Sequence, residues 1–232
     1  MLAGYATRGL KAGAAAGAAF GAYVALVGNP LVRHAEAVTT GHAHVGEAGT
    51  LLGSATSVAA GSLWGLLAGL CFGVAYYLAE PALPGGAEAR SYLLAAAGFV
   101  TLAGAPWLVL PPQPAGVEPI LGADTRLAWY GGMIVAGGLA CGLALAAYKR
   151  TRGTRRASRL AAAAAPFALP LGLAAVAPAT ASAGDPALAA VYRGVVGLGQ
   201  VLLWGTLAAT HAWLCRRSPL APTVQEGPAG AD

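Results

Sequence analysis

Residues 8–28 read RGLKAGAAAGAAFGAYVALVG, and residues 54–78 read SATSVAAGSLWGLLAGLCFGVAYYL. Apart from Arg8 and Lys11 neither stretch carries a charge, and each is long enough to cross a hydrocarbon core of about 30 Å as a helix. Glycine returns every fourth residue in both: Gly9, Gly13, Gly17 and Gly21 in the first, Gly61, Gly65, Gly69 and Gly73 in the second. A spacing of four puts each set on one helix face, where the missing side chains let backbones approach closely. The two stretches therefore predict packed membrane helices, meeting each other or a second copy of the chain.

The remainder of the chain extends this pattern. Of 232 residues, 57% are hydrophobic and 10% charged, with mean hydropathy +0.63. A soluble domain carries about 25% charged residues, so this inventory cannot cover a water-facing surface. The expected fold is all-α: a polytopic membrane bundle of about six helices, near 8–28, 54–78, 91–110, 127–148, 160–179 and 194–215. Residues 1–217 form one membrane-embedded domain in this reading. Residues 218–232, rich in proline, glycine and acid, read as a disordered cytoplasmic tail. Arg8 and Lys11 imitate the start of a signal peptide, but five more apolar stretches follow, so the first helix is expected to be retained. Pro111-Pro112 should end the third helix, and Pro166 with Pro170 should kink the fifth.

Basic residues orient the bundle. Six spans put both termini on one side, together with Arg8, Lys11, Arg90, the run Lys149–Arg159, Arg216 and Arg217, eleven cations in all. Arg33, Arg126 and Arg193 fall on the other side. The positive-inside rule then places both termini in the cytoplasm of a multi-pass plasma-membrane protein. Its net charge of +5 follows from topology, not from nucleic-acid binding.

That orientation sorts the side chains able to hold a metal. Outside, the segment from Asn29 to Thr50 reads as a loop carrying His34, Glu36, His42, His44 and Glu47. His42-x-His44 is the sharpest local signal, because in extended chain both imidazoles point the same way. The proline-rich outer segment 105–119 adds one charge, Glu118. Inside lie His211, Cys71, Cys141 and Cys215, in the inner halves of helices two, four and six. Imidazole and carboxylate outside with softer thiols inside suit a transition metal moving inward. Against this stand two plainer readings, a solvated histidine loop and cysteines acting as small hydrophobes. Three distant cysteines do not make a disulfide framework. No carboxylate sits in the middle of a span, no Walker-type phosphate loop is present, and no catalytic constellation appears, so an enzyme is not expected.

Several motifs together resemble a known family. Pro106-Trp107-Leu108, Leu110-Pro111-Pro112-Gln113-Pro114 and Gly116-Val117-Glu118 are similar to the CbtA family of cobalt transporter subunits. So are Asn29-Pro30-Leu31 with Ala35-Glu36, and Glu80-Pro81-Ala82-Leu83-Pro84-Gly85. Members often carry Glu-Pro where this chain has Asn29-Pro30. The resemblance implies a five- or six-span subunit of a cobalt uptake system feeding cobalamin synthesis. Cobalt would be its cargo, with no permanently bound cofactor. It also implies a small single-span, histidine-bearing partner of the CbtB kind; membrane lipid and a second copy are the other expected partners. The rival readings are a structural subunit that docks a partner through its glycine-ridged helices, and a carrier of another small solute.

Overall fold

The computed structural model describes residues 2–40, 47–114, 120–178 and 186–217, and every regular element among them is helical. The helices are α1 (Leu2–Tyr23), α2 (Asn29–Thr40), α3 (Glu47–Ala79), α4 (Ala87–Phe99), α5 (Ala105–Val109), α6 (Ala123–Arg150), α7 (Arg156–Ala164), α8 (Ala168–Ala175) and α9 (Pro186–Arg217). They build six stretches long and apolar enough to span a membrane: Leu2–His34, Gly49–Ala79, Ala87–Val109, Ala123–Arg150, Arg156–Ala175 and Pro186–Arg217. Regular helix satisfies nearly all backbone polar groups internally, which a lipid environment demands.

Broken and unbroken spans alternate. The second, fourth and sixth are the uninterrupted helices α3, α6 and α9. The first is widened into a single π turn at Val24–Gly28, the third into another at Val100–Gly104, and the fifth tightens to a 3-10 turn at Ala165–Phe167. Each break lies at a proline: Pro30, Pro106 and Pro166. Proline has no N–H to give and its ring presses on the carbonyl four residues back, so a continuing helix must change pitch there. The segment from Asn29, read from sequence as loop, is accordingly helical as far as Thr40.

The most extensive pairing is α1 against α3, antiparallel, with the two glycine rows face to face. A Cβ placed on Gly13 would stand 2.8 Å from the Gly69 Cα, and one on Gly17 would stand 2.6 Å from the Gly61 carbonyl oxygen. Backbone lies on backbone there, and no side chain can step aside. Helix α9 then lies on both α1 and α4. Ala12, Ala16, Phe72, Tyr76, Ala95, Leu203, Leu207 and Ala208 fill the space among these four helices. A second, smaller core joins Ala105 and Val109 of α5 to Met133 of α6, flanked by Trp129 and Leu173. Outside the cores, leucines such as Leu63, Leu67 and Leu78 on α3 are exposed, as a lipid-facing surface requires.

Overpacking a core ordinarily costs about 1–3 kcal/mol, and rigid backbone neighbours put Gly65→Ala at or above the upper end. The Cβ would stand 2.5 Å from the Gly13 carbonyl oxygen, whereas Gly205 in α9 has nothing within 4 Å. Thermal unfolding in detergent should therefore show a clear loss of midpoint for Gly65→Ala and none for Gly205→Ala. Equal midpoints would remove the close contact as a source of stability.

Candidate functional site

At the end of the bundle where α1 and α4 begin and α3 and α9 finish, polar side chains gather inside apolar helices. Glu80, just past α3, ties them together: the Tyr5 hydroxyl donates to its Oε2 at 2.5 Å, and Arg90 Nη1 lies 3.3 Å from its Oε1. A more exposed pair, Arg216 with Glu88 at 2.9 Å, closes α9 onto α4 at the same end. Both acids follow from the chain reversal after α3, whose turn uses Gly85 at φ +88°, a conformation few other residues adopt.

One turn deeper are Ser91 and His211, both fully buried. Serine inside a helix often spends its proton on the carbonyl four residues back, and Ser91 does so, donating to the Ala87 carbonyl at 2.9 Å. With that proton committed, Ser91 Oγ is left as an acceptor for His211 Nδ1–H, 2.9 Å away. The tautomer that results leaves Nε2 as a bare lone pair. Nε2 is buried and has no hydrogen-bond partner among the described residues. Phe72 meets the imidazole edge-on with centroids 5.1 Å apart, and the Tyr76 ring lies at 4.5 Å. Cys215 follows one helical turn later on α9, its Sγ 3.7 Å from His211 Nδ1. Arg8 Nη1 reaches to within 3.9 Å of that sulfur.

An ionisable side chain at such depth is a functional candidate by default, since burying it costs free energy that packing alone would not require. The chemistry available is that of a ligand. Metal–nitrogen bonds of about 2.0–2.1 Å and metal–sulfur bonds of about 2.3 Å, at a tetrahedral angle, span about 3.6 Å. The 3.7 Å from Nδ1 to Cys215 Sγ matches that span, so a metal shared with the thiol requires the other tautomer, with Nδ1 bare and the proton on Nε2. Nε2 can accept a metal as it stands, or take the proton if Nδ1 becomes the ligand. Only two such ligands meet here. Among the described residues no three His, Cys, Asp or Glu side chains converge.

The other candidates lie apart. Cys71 is exposed on the surface of α3, and Cys141 of α6 sits 3.9 Å from the Ala97 carbonyl, away from His211. His34 is exposed at the end of the first span opposite Glu80 and His211. Glu36 falls within α2 and Glu47 opens α3, their side chains lying beyond the description; His42, His44 and Glu118 are outside the described residues. The proline-rich segment borders an open cleft of about 610 Å³ between Trp107, Pro111, Arg126 and Tyr130, where Arg193 Nε donates to the Pro112 carbonyl at 3.3 Å. Ser91 and Tyr76, which touch His211, and Tyr5 and Arg90, which hold Glu80, were not singled out from sequence. One signal was present: Arg8, Glu80, Arg90 and Cys215 all fall near span ends on the same side.

Ser91→Ala leaves His211 Nδ1 buried without its partner, a loss of about 1–3 kcal/mol. Chemical or thermal unfolding of the purified protein should register it, and the midpoint should recover in the double variant Ser91→Ala with His211→Phe. A wild-type midpoint for Ser91→Ala would mean that the Ser91–His211 bond carries no weight.

No curated protein and no solved structure matches the chain. A family model described as "Probable cobalt transporter subunit (CbtA)" matches residues 2–216. The match takes in all six spans and both cores, and the chain belongs to the CbtA family.

Proposed function

We propose that the protein is the multi-pass plasma-membrane subunit of a cobalt uptake system that supplies cobalamin synthesis, with no enzymatic activity of its own. The observation that carries this reading is the buried His211, its Nε2 without a partner and its Nδ1 3.7 Å from the Cys215 thiol, in a chain of a cobalt-transporter family. Cobalt is cargo. Two ligands hold a borderline metal weakly, and a site on a path must release what it binds. His211 and Cys215 thus serve as a transit site at the basic, cytoplasmic end, while Cys71 and Cys141 take no part.

Capture takes place at the other end. His42 and His44, with His34, Glu36 or Glu47, collect the ion from outside, and Glu118 in the proline-rich segment passes it toward the bundle. The sequence contains no Walker-type nucleotide-binding loop, so any ATP-driven step would fall to another component. The partner expected is a single-span, histidine-bearing subunit of the CbtB kind. The fifth span, with 6% of its most apolar window buried by its own chain, leaves a face for lipid, the partner or a second copy.

Labelled Co²⁺ uptake by cells expressing the protein with its partner tests both ends. The double variant His42→Ala/His44→Ala should lose most uptake at low external Co²⁺ and regain part of it at high concentration, since capture sets apparent affinity. His211→Ala and Cys215→Ser should lower the maximal rate. Groups that orient or hold a metal typically change affinity or activity by about 10–100-fold, so effects of at least tenfold are expected. Wild-type uptake in the His211 and Cys215 variants would overturn the inner site, and absence of Co²⁺ uptake by the wild type would overturn the transport reading itself.

A further inference from the structure

Residues 149–159 read KRTRGTRRASR, six cations with no acid among them. Orienting a membrane protein needs only a surplus of positive charge on one side, whatever its arrangement. Here the charges are arranged. Helix α6 ends at Arg150, Gly153 turns the chain at φ +96°, and α7 starts at Arg156, so the run is folded onto the corner between the fourth and fifth spans. Arg150, Arg152, Arg155 and Arg156 are exposed. Among the described residues the ion pairs, Glu80 with Arg90 and Glu88 with Arg216, involve none of the six. Like charges gathered this closely repel one another, and a bound anion relieves the repulsion.

The corner has a place for such an anion. Tyr148, Thr154, Arg156, Arg159 and Leu160 line a cavity of about 310 Å³. Arg159 is ordered within it: its guanidinium carbon lies 3.8 Å from the centroid of the Tyr148 ring, and it donates to the Tyr148 hydroxyl. Those contacts fix the guanidinium and leave its remaining N–H groups to bind. The Thr154 hydroxyl is already committed, donating to the Thr151 carbonyl at 2.9 Å, so recognition falls to the two arginines. Their planar forks fit the oxygens of a phosphate two at a time.

The surroundings say what carries the phosphate. Leu160 at the edge of the cavity is 52% exposed, and the fifth span it belongs to is the least buried of the six. The same helix pair frames an apolar groove of about 540 Å³ along Leu143, Ala147, Ala162 and Leu169, which Arg150 also lines. Guanidinium groups at the loop, with apolar surface leading away from them, complement a phosphate joined to acyl chains. We propose that the corner between the fourth and fifth spans binds an anionic phospholipid of the adjoining leaflet. Arg156 and Arg159, beside Tyr148, hold its phosphate, and its acyl chains lie along the fifth span. Basic pockets between membrane helices take lipid headgroups by this chemistry. The site shares no residue with the His211 cluster and does not depend on the transport reading.

Native mass spectrometry of the full-length protein, given phosphatidylglycerol and phosphatidylcholine in equal amounts, tests it. Each cation near an anionic headgroup is worth about fivefold in binding, so the two arginines give a preference for phosphatidylglycerol of roughly twenty-five-fold. Arg156→Gln/Arg159→Gln should remove nearly all of that preference. Arg216→Gln/Arg217→Gln makes the same charge change at the same end of the bundle and should leave most of it in place. In the wild type, phosphatidylglycerol should also raise the thermal unfolding midpoint above its value in phosphatidylcholine. Equal binding of the two lipids by the wild type, or equal loss in both double variants, would overturn the site. Release of the lipid by inorganic phosphate, at an ionic strength where chloride leaves it bound, would overturn the lipid assignment in favour of a free anion.

Discussion

Backbone-to-backbone contact between α1 and α3 sets the position of almost everything else. Gly9 faces Gly73, Gly13 faces Gly69, Gly17 faces Gly65 and Gly21 faces Gly61, all in a single antiparallel register. The same register extends past the glycines at both ends. It brings Tyr5 to Tyr77, with ring centroids 5.3 Å apart, and Asn29 Nδ2 to the Gly53 carbonyl at 3.5 Å. A slip by one residue would drive side chains into backbone at four levels simultaneously. In lipid there is little hydrophobic gain from bringing helices together, so close van der Waals contact of this sort is what specifies the pair. The position of Tyr5 beside Glu80 and the hydrogen bond between Ser57 and Asn29 are both consequences of that register.

Against this apolar fit, the cluster around His211 is expensive. Its imidazole and the Ser91 hydroxyl are withdrawn completely from solvent, and a buried polar group without a partner costs free energy that packing does not return. The chain recovers part of it through Ser91 and leaves the rest uncompensated at Nε2. A structural histidine would be expected to have both nitrogens satisfied. Here one nitrogen is held by Ser91 and the other keeps a lone pair free to accept a bond.

Some of this was legible in the sequence. The spans, the alternation of chain direction and the spacing of the glycine rows all show in composition and periodicity, because each is local to one helix. The continuation of the first helix through Asn29-Pro30 did not show, since proline ordinarily reads as a terminator and the π turn that accommodates it has no strong signature of its own. The inner site was half legible. His211 and Cys215 are one turn apart on one helix, which spacing reveals, but Ser91, Glu80 and Arg8 come from other spans. Cys71 and Cys141 fall in the same halves of their spans as Cys215 and still lie apart from it. A helix that is apolar all round has no polar stripe to say which side turns inward, so depth is readable and rotation is not.

The two kinds of span differ in pitch, and the changes of pitch fall just past points of close packing. The glycine contact runs from Gly9 to Gly21, and the first π turn begins at Val24, immediately beyond its last member. In the third span, Gly98 is covered by the Trp204 ring of α9, and the π turn starts two residues later at Val100. The second π turn is held beyond that point as well: a Cβ on Gly137 of α6 would stand 3.2 Å from the Thr101 Cα and 2.9 Å from the Ala105 Cβ. A change of pitch at a proline is therefore no sign of loose packing, because α5 past the second turn belongs to the second core. His211, Ser91 and Glu80 gather at the end where α1, α3, α4 and α9 pack together, and their positions relative to one another follow from that packing.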